Sequence, residues 1–169
     1  MVNTEIEKKA NSALEETDLG GIIPINIVAV ARFFGFSVYE STLNDNLSGL
    51  IMVDKEPLKG YASNKIIVVN ARHSTKRKRF TVAHELGHYF LNEKAQQCFA
   101  HRDIAGAYNR EERDANQFAS VILMPESKVR ECVKNHTFAG ILELVEFIAD
   151  TFNVSKEAAQ VRLQKLNII

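Results

Sequence analysis

The stretch "FTVAHELGHYFLNE", Phe80 to Glu93, decides how this chain is read. It is apolar enough for a central helix, yet it carries His84, Glu85 and His88 in its middle. Histidines four apart lie one turn apart on one helical face, so both imidazoles can address a single point. The glutamate between them points about a third of a turn away. On a helical wheel Phe80, Ala83, Gly87 and Leu91 share the histidine face, while Val82, Leu86, Tyr89 and Phe90 cover most of the opposite side. A helix apolar nearly all round is a buried one. Three ionisable groups buried there without partners would cost several kcal/mol. A divalent cation removes that cost, because it takes neutral imidazoles as ligands and stabilises a nearby carboxylate. HExxH on a helix is the zinc-peptidase arrangement, two ligands at i and i+4 with a glutamate beside them as base. Gly87 weakens the helix by about 1 kcal/mol relative to alanine, so something is expected to approach the backbone closely there.

A catalytic zinc has three protein ligands. The extended metzincin pattern needs glycine and histidine at positions occupied by Leu91 and Lys94, which excludes that subclass. The next helical segment, "EERDANQFASVILMP", has an apolar stripe of Ala115, Phe118, Ala119 and Ile122, with Glu111 and Glu112 on either flank. Helical phase alone does not choose between the two glutamates. Asn116, one turn after Glu112, is placed to hydrogen-bond a ligand from outside the coordination shell. His73 and His101 are rival third ligands, while Cys98 is read chiefly as a free reduced thiol, the alternative being a thiolate that caps the metal as an inhibitor.

The rest of the chain fits a protein built around one such site. Its 169 residues suit one domain, or one domain with a small appendage. Lysine plus arginine balance aspartate plus glutamate at 21 each, so no overall field draws in nucleic acid or an anionic membrane. The two cysteines form no framework, which suits a reducing compartment. The opening "MVNTEIEKKANSALEETDLGG" lacks the apolar core of a signal peptide, and no stretch approaches the roughly 20 apolar residues of a membrane span. A cytoplasmic location is expected.

Residues 3–17 read as an amphipathic helix. Pro24 is placed to open a second helix running to about Phe34, which Gly35 ends. "FSVYES" (36–41), "SGLIMVD" (48–54) and "NKIIVVN" (64–70) read as strands. The span from Glu93 to Arg110 is polar and irregular, a length of loop that is often functional. A helix over about 111–123 follows, stopped at Met124-Pro125, and then two or three more, the last capped by Ser155. The expected class is α+β: a small three-stranded antiparallel sheet packed on the HExxH helix, with C-terminal helices. Residues 1–125 are expected to form the main unit, with 1–20 as a helical extension, and 126–169 a helical segment packed on it.

"RFTVAHELGHYFL" followed by "EERDANQFASVILMP" resembles the ImmA/IrrE family of metallo-endopeptidases, and the layout of "SGLIMVD…NKIIVVN" and "VSKEAAQVRLQKL" is similar too. The resemblance implies a zincin-like core, with His84 and His88 on the metal ligands, Glu85 on the catalytic glutamate and Glu112 on the acidic third ligand. It also implies a bacterial, phage or mobile-element setting and, for several members, cleavage of a helix-turn-helix repressor as protein partner. Zinc is the expected cofactor, with manganese the next. Tyr61, His73, Tyr89 and His101 are candidate donors to a tetrahedral oxyanion. An exposed sheet edge is expected to bind substrate in extended form.

The competing function is a binding protein, an antirepressor or toxin–antitoxin-like partner, that keeps a metal for structure. "KRKR", Lys76 to Arg79, opposes the helix dipole at a helix start, and is read chiefly as a solvated helix start. "ADTFNVSKEAAQVRLQKL" looks like a helix-turn-helix. Yet Glu143, Glu146, Asp150 and Glu157 outnumber Lys156, Arg162 and Lys165, so no positive DNA-reading face is expected.

Overall fold

The computed structural model describes residues 4–92, 99–104 and 109–169, with only the backbone of 99–104. Two helices lead: α1 (Thr4–Thr17) and α2 (Ile27–Phe33). Helix α2 starts later than Pro24 suggested. The Asn26 side chain caps it by accepting from the Ala29 amide, and Pro24 sits before it in a cis peptide. Gly35, at φ +86°, ends the helix as its position implied.

Three strands follow, β1 (Ser37–Ser41), β2 (Leu47–Val53) and β3 (Lys65–Asn70), and then the long helix α3 (Thr75–Leu91). A fourth strand, β4 (Phe99–Ile104), precedes α4 (Arg110–Leu123). The expected three-stranded antiparallel sheet is therefore corrected to a four-stranded mixed sheet of order β1-β3-β2-β4. Strand β3 runs parallel to β1 and antiparallel to β2, and β4 is antiparallel to β2. The reason lies in "KIIVVN". From Ile66 to Asn70 every residue is buried, so both faces of β3 are covered and the strand belongs inside the sheet. The outer half of β1 is exposed and lies at an edge. Strand β4 was not anticipated, because "FAHRDI" has neither alternation nor an apolar run. Its order comes from pairing with β2.

The chain closes with α5 (Glu126–Lys134), α6 (Ile141–Thr151) and α7 (Lys156–Lys165). One apolar cluster runs from Ile6 and Leu14 of α1, through Ile67, Val82 and Phe118, to Leu163 of α7. Buried Arg162 ties the ends of the chain together. Its guanidinium donates to the Met124 carbonyl (3.1 Å) and to the Glu7 carboxylate (3.1 Å). Helix α7 thus turns the cation of Arg162 inward.

The basic run is not simply solvated. Lys76 pairs with Asp150 (3.0 Å) and Lys78 with Glu40 (2.7 Å), while Arg79 donates to the carbonyls of Asn153 (3.3 Å) and Phe152 (3.5 Å). Burial draws the Arg79 pKa below its ordinary value. The carbonyl end of α6 meets the cationic start of α3 and offsets the unfavourable dipole.

Helix α3 lies between the sheet and α4, buried from Thr81 to Tyr89. Gly87 allows this. A β-carbon there would sit 3.0 Å from both the Cα and the carbonyl oxygen of Ala115, and 3.2 Å from Phe118 Cβ. Backbone lies against backbone, as the glycine implied. Gly87→Ala gains about 1 kcal/mol of helix propensity but wedges α3 from α4, at an overpacking cost of about 1–3 kcal/mol. The expected result is a lower urea midpoint together with weaker zinc binding in a competition titration. A stabilised variant with unchanged zinc affinity would show that the contact does not constrain the site.

Candidate metal centre

Helix α3 starts at Ser74, whose hydroxyl accepts from the Arg77 amide (3.3 Å). Three turns later it presents His84 and His88 on the side facing α4. Helix α4 starts at Asn109, whose side chain accepts from the amide of Glu112 itself (2.9 Å). The cap therefore fixes the turn that carries this glutamate. Glu112 lies on the buried stripe with Ala115, Phe118, Ala119 and Ile122, whereas Glu111 is exposed. The structure brings Glu112, and not Glu111, to the two histidines.

His84 Nε2 lies 3.0 Å from His88 Nε2 and 3.2 Å from one Glu112 carboxylate oxygen. His88 Nε2 is 3.4 Å from the other oxygen. All three residues are buried, and their ligand atoms lie within 4.8 Å of one another. A tetrahedral cation with bonds of about 2.0–2.1 Å spaces its ligand atoms about 3.3–3.4 Å apart. From His84 Nε2, the separations of 3.0 Å to His88 Nε2 and 3.2 Å to the nearer Glu112 oxygen fall within a few tenths of an ångström of that spacing. Two neutral imidazoles and one carboxylate suit a divalent ion in charge as well, so the residues fit the group.

Asn116 Oδ1 lies 3.0 Å from His84 Nδ1. With Nδ1–H donating to that oxygen, the Nε2 lone pair would be left to bind a cation. Glu85 is fully buried. Gly49 of β2 lies beside it: a β-carbon there would sit 3.5 Å from a Glu85 carboxylate oxygen and only 2.4 Å from Thr81 Cγ2. The sequence reading missed Gly49. Its available signal was a glycine inside a strand pattern, which marks a close approach.

Other candidates fall elsewhere. The Tyr89 hydroxyl accepts from Lys65 Nζ (2.9 Å), and its ring packs edge-on against Phe36 and Phe90. Tyr61 lies against Tyr39 of edge strand β1. His73 is half-buried in the turn between β3 and α3 and is not part of the ligand cluster. The backbone of His101 lies opposite Ile51 in β4, and its side chain lies outside the described residues, as does Cys98. The strand "NKIIVVN" is interior, so the sheet edges are β1 and β4. No helix among the described residues is long and apolar enough to cross a membrane.

The chain is similar to a protein of Bacillus phage phi105 named "Uncharacterized immunity region protein 2", 28% identical over 113 residues. That alignment covers 67% of this chain and 66% of the phage protein, just under two thirds of its length. The fold is similar to a solved structure titled "Mycobacterium tuberculosis transcriptional regulator", with a TM-score of 0.61 and 17% identity. The superposition covers 95% of this chain and 46% of that one, less than half the regulator's length. The family described as Peptidase_M78, IrrE N-terminal-like domain, matches residues 34–164, which take in the strands, helices α3 and α4 and most of α7. The chain belongs to this ImmA/IrrE peptidase family.

Proposed function

We propose that this protein is a zinc-dependent endopeptidase with a zincin-like core that cleaves a helix-turn-helix repressor of a phage, mobile element or stress response in the cytoplasm. The observation that carries this reading is the buried triangle of His84, His88 and Glu112, with Glu85 on the next position of the same helix. The phage relative, named for an immunity region, supports the regulatory setting. Residues 1–125 form the catalytic unit in this reading and 126–169 a helical cap on it.

His84, His88 and Glu112 would hold the cation, and Asn116 keeps His84 in the tautomer that binds. A divalent ion bound there supplies a Lewis acid and an acidified water. Glu85 accepts the proton of the attacking water and delivers it to the leaving amine nitrogen, one carboxylate serving as base and then acid. Burial beside Gly49 keeps that carboxylate in one position and shields it from bulk water. With Tyr61 and Tyr89 engaged elsewhere, His73 and His101 remain the candidate donors to the oxyanion. The free side of β4 is the sheet edge on which an extended substrate would add as a further strand.

Zinc-loaded protein is expected to cut a purified helix-turn-helix repressor, its substrate, into two discrete fragments. Dialysis against a chelator should stop the reaction, and zinc or manganese should restore it. A repressor that stays intact while forming a stable complex would instead support sequestration.

A further inference from the structure

Of the four cations that open α3, three are held by acceptors within the fold: Lys76 by Asp150, Lys78 by Glu40, and Arg79 by backbone carbonyls. Arg77 is different. It is exposed, and its guanidinium donates to the neutral Ser48 hydroxyl (3.2 Å), with no carboxylate partner among the described residues. It borders a pocket of 410 Å³ between the start of α3 and the start of α7. Phe80, Val154 and Ala158 supply apolar wall, while Lys76, Arg77 and Ser155 supply the polar part. A volume within the roughly 300–1,000 Å³ of small-ligand pockets has room for one large side chain.

The pocket lies in line with the metal centre. At about 100° per residue, Arg77, Phe80, His84 and His88 fall within one narrow face of α3. At 1.5 Å per residue, Phe80 and Arg77 lie about 6 and 10 Å before His84 along the axis. An extended peptide advances about 3.3 Å per residue. A side chain in the pocket is therefore about two or three residues from a peptide bond held at the metal centre.

We infer that this pocket is a substrate subsite that takes a large apolar side chain whose neighbour in the chain is Asp or Glu, the carboxylate pairing with Arg77. The inference rests on the peptidase reading and adds sequence selectivity to it. The apolar wall would bind leucine or phenylalanine by desolvation. The Arg77 fork, held on one side by a neutral hydroxyl, still has donors for a carboxylate. The segment recognised is an extended stretch of the protein substrate, and α7 contributes to choosing it as well as to the fold.

The test uses the full-length Glu85→Gln chain loaded with zinc, so that peptides are bound and not cut. Short fluorescein-labelled peptides centred on Leu-Asp are compared by anisotropy with matched Gly-Asp and Leu-Lys peptides. Leu-Asp is expected to bind roughly tenfold or more tightly than either control. Arg77→Glu should reverse the charge preference, and Ala158→Leu, which fills the pocket, should remove the preference for leucine over glycine. Equal affinity for the three peptides, no binding of any, or preferences unchanged in both variants overturns the subsite. Cleavage of the same peptides by the unsubstituted protein separates the two ideas. Selective binding without cutting refutes the peptidase reading and retains the pocket, whereas cutting without selectivity refutes the pocket and retains the peptidase.

Discussion

Glu85→Gln is expected to reduce repressor cleavage by about 10²–10⁴-fold, the usual contribution of a positioned general base, while zinc content stays at the unsubstituted level. In free energy this is about 3–5 kcal/mol of lost transition-state stabilisation, at 1.36 kcal/mol per tenfold. The substitution is nearly isosteric, and the buried position beside Gly49 accepts an amide without new volume. What changes is basicity: a carboxamide cannot take the proton of the attacking water. Glu85 is not one of the three clustered ligands, so metal retained after dialysis should be unaffected. Circular dichroism checks that the fold survives, and a time course of fragment formation checks the rate. Cleavage at the original rate by a folded, zinc-loaded variant would sink the proteolytic mechanism and leave sequestration as the function.

The second large effect is expected at Glu112. Glu112→Ala removes the carboxylate that faces both imidazoles at 3.2 and 3.4 Å, leaving two ligands where a catalytic site needs three. Zinc affinity should fall by more than about 100-fold, beyond the 10–100-fold typical of losing a group that merely supports a ligand. Glu111→Ala is the control. Glu111 is exposed, and substitutions of that kind stay within about 0.5 kcal/mol, or roughly twofold. Zinc added at 100 times its Kd stabilises a folded protein by about 2.7 kcal/mol. Its melting shift should therefore persist in Glu111→Ala and vanish in Glu112→Ala. A reversed order would move the third ligand to Glu111.

Much of the architecture was legible because it is local. The helical periodicity of Thr75–Leu91, the Ser155 cap and the stop at Gly35 are settled by interactions within a few residues, and the three strand runs carry a local apolar signal. Strand order was not legible. An uninterrupted apolar run such as Ile66–Val69 says that both faces are covered, but it does not name the neighbours. The chain places β1 beside β3 in parallel, where a simple meander would have paired β1 with β2. Strand β4 had no signal of its own, since pairing with β2 rather than propensity orders it. The KRKR run was read as solvated because the acceptors that hold three of its four cations lie about 40 to 75 positions away in the chain.

His84, Glu85 and His88 owe their relative positions to helix pitch, so the sequence by itself determined that two imidazoles share a face and that a carboxylate stands beside them. It determined as well that α3 is buried around the histidines, because that stretch of the helix is apolar nearly all round. The third ligand depends on where α4 lies. Where α4 packs on α3, with the Ala115 backbone close to Gly87, Glu112 meets the histidines and Glu111 faces solvent. The same holds for Gly49 beside Glu85 and for the pocket between α3 and α7, whose walls come from segments more than 70 residues apart. Periodicity is written in neighbouring residues; proximity between distant segments is set by how their surfaces pack, and that packing exists only in the folded chain.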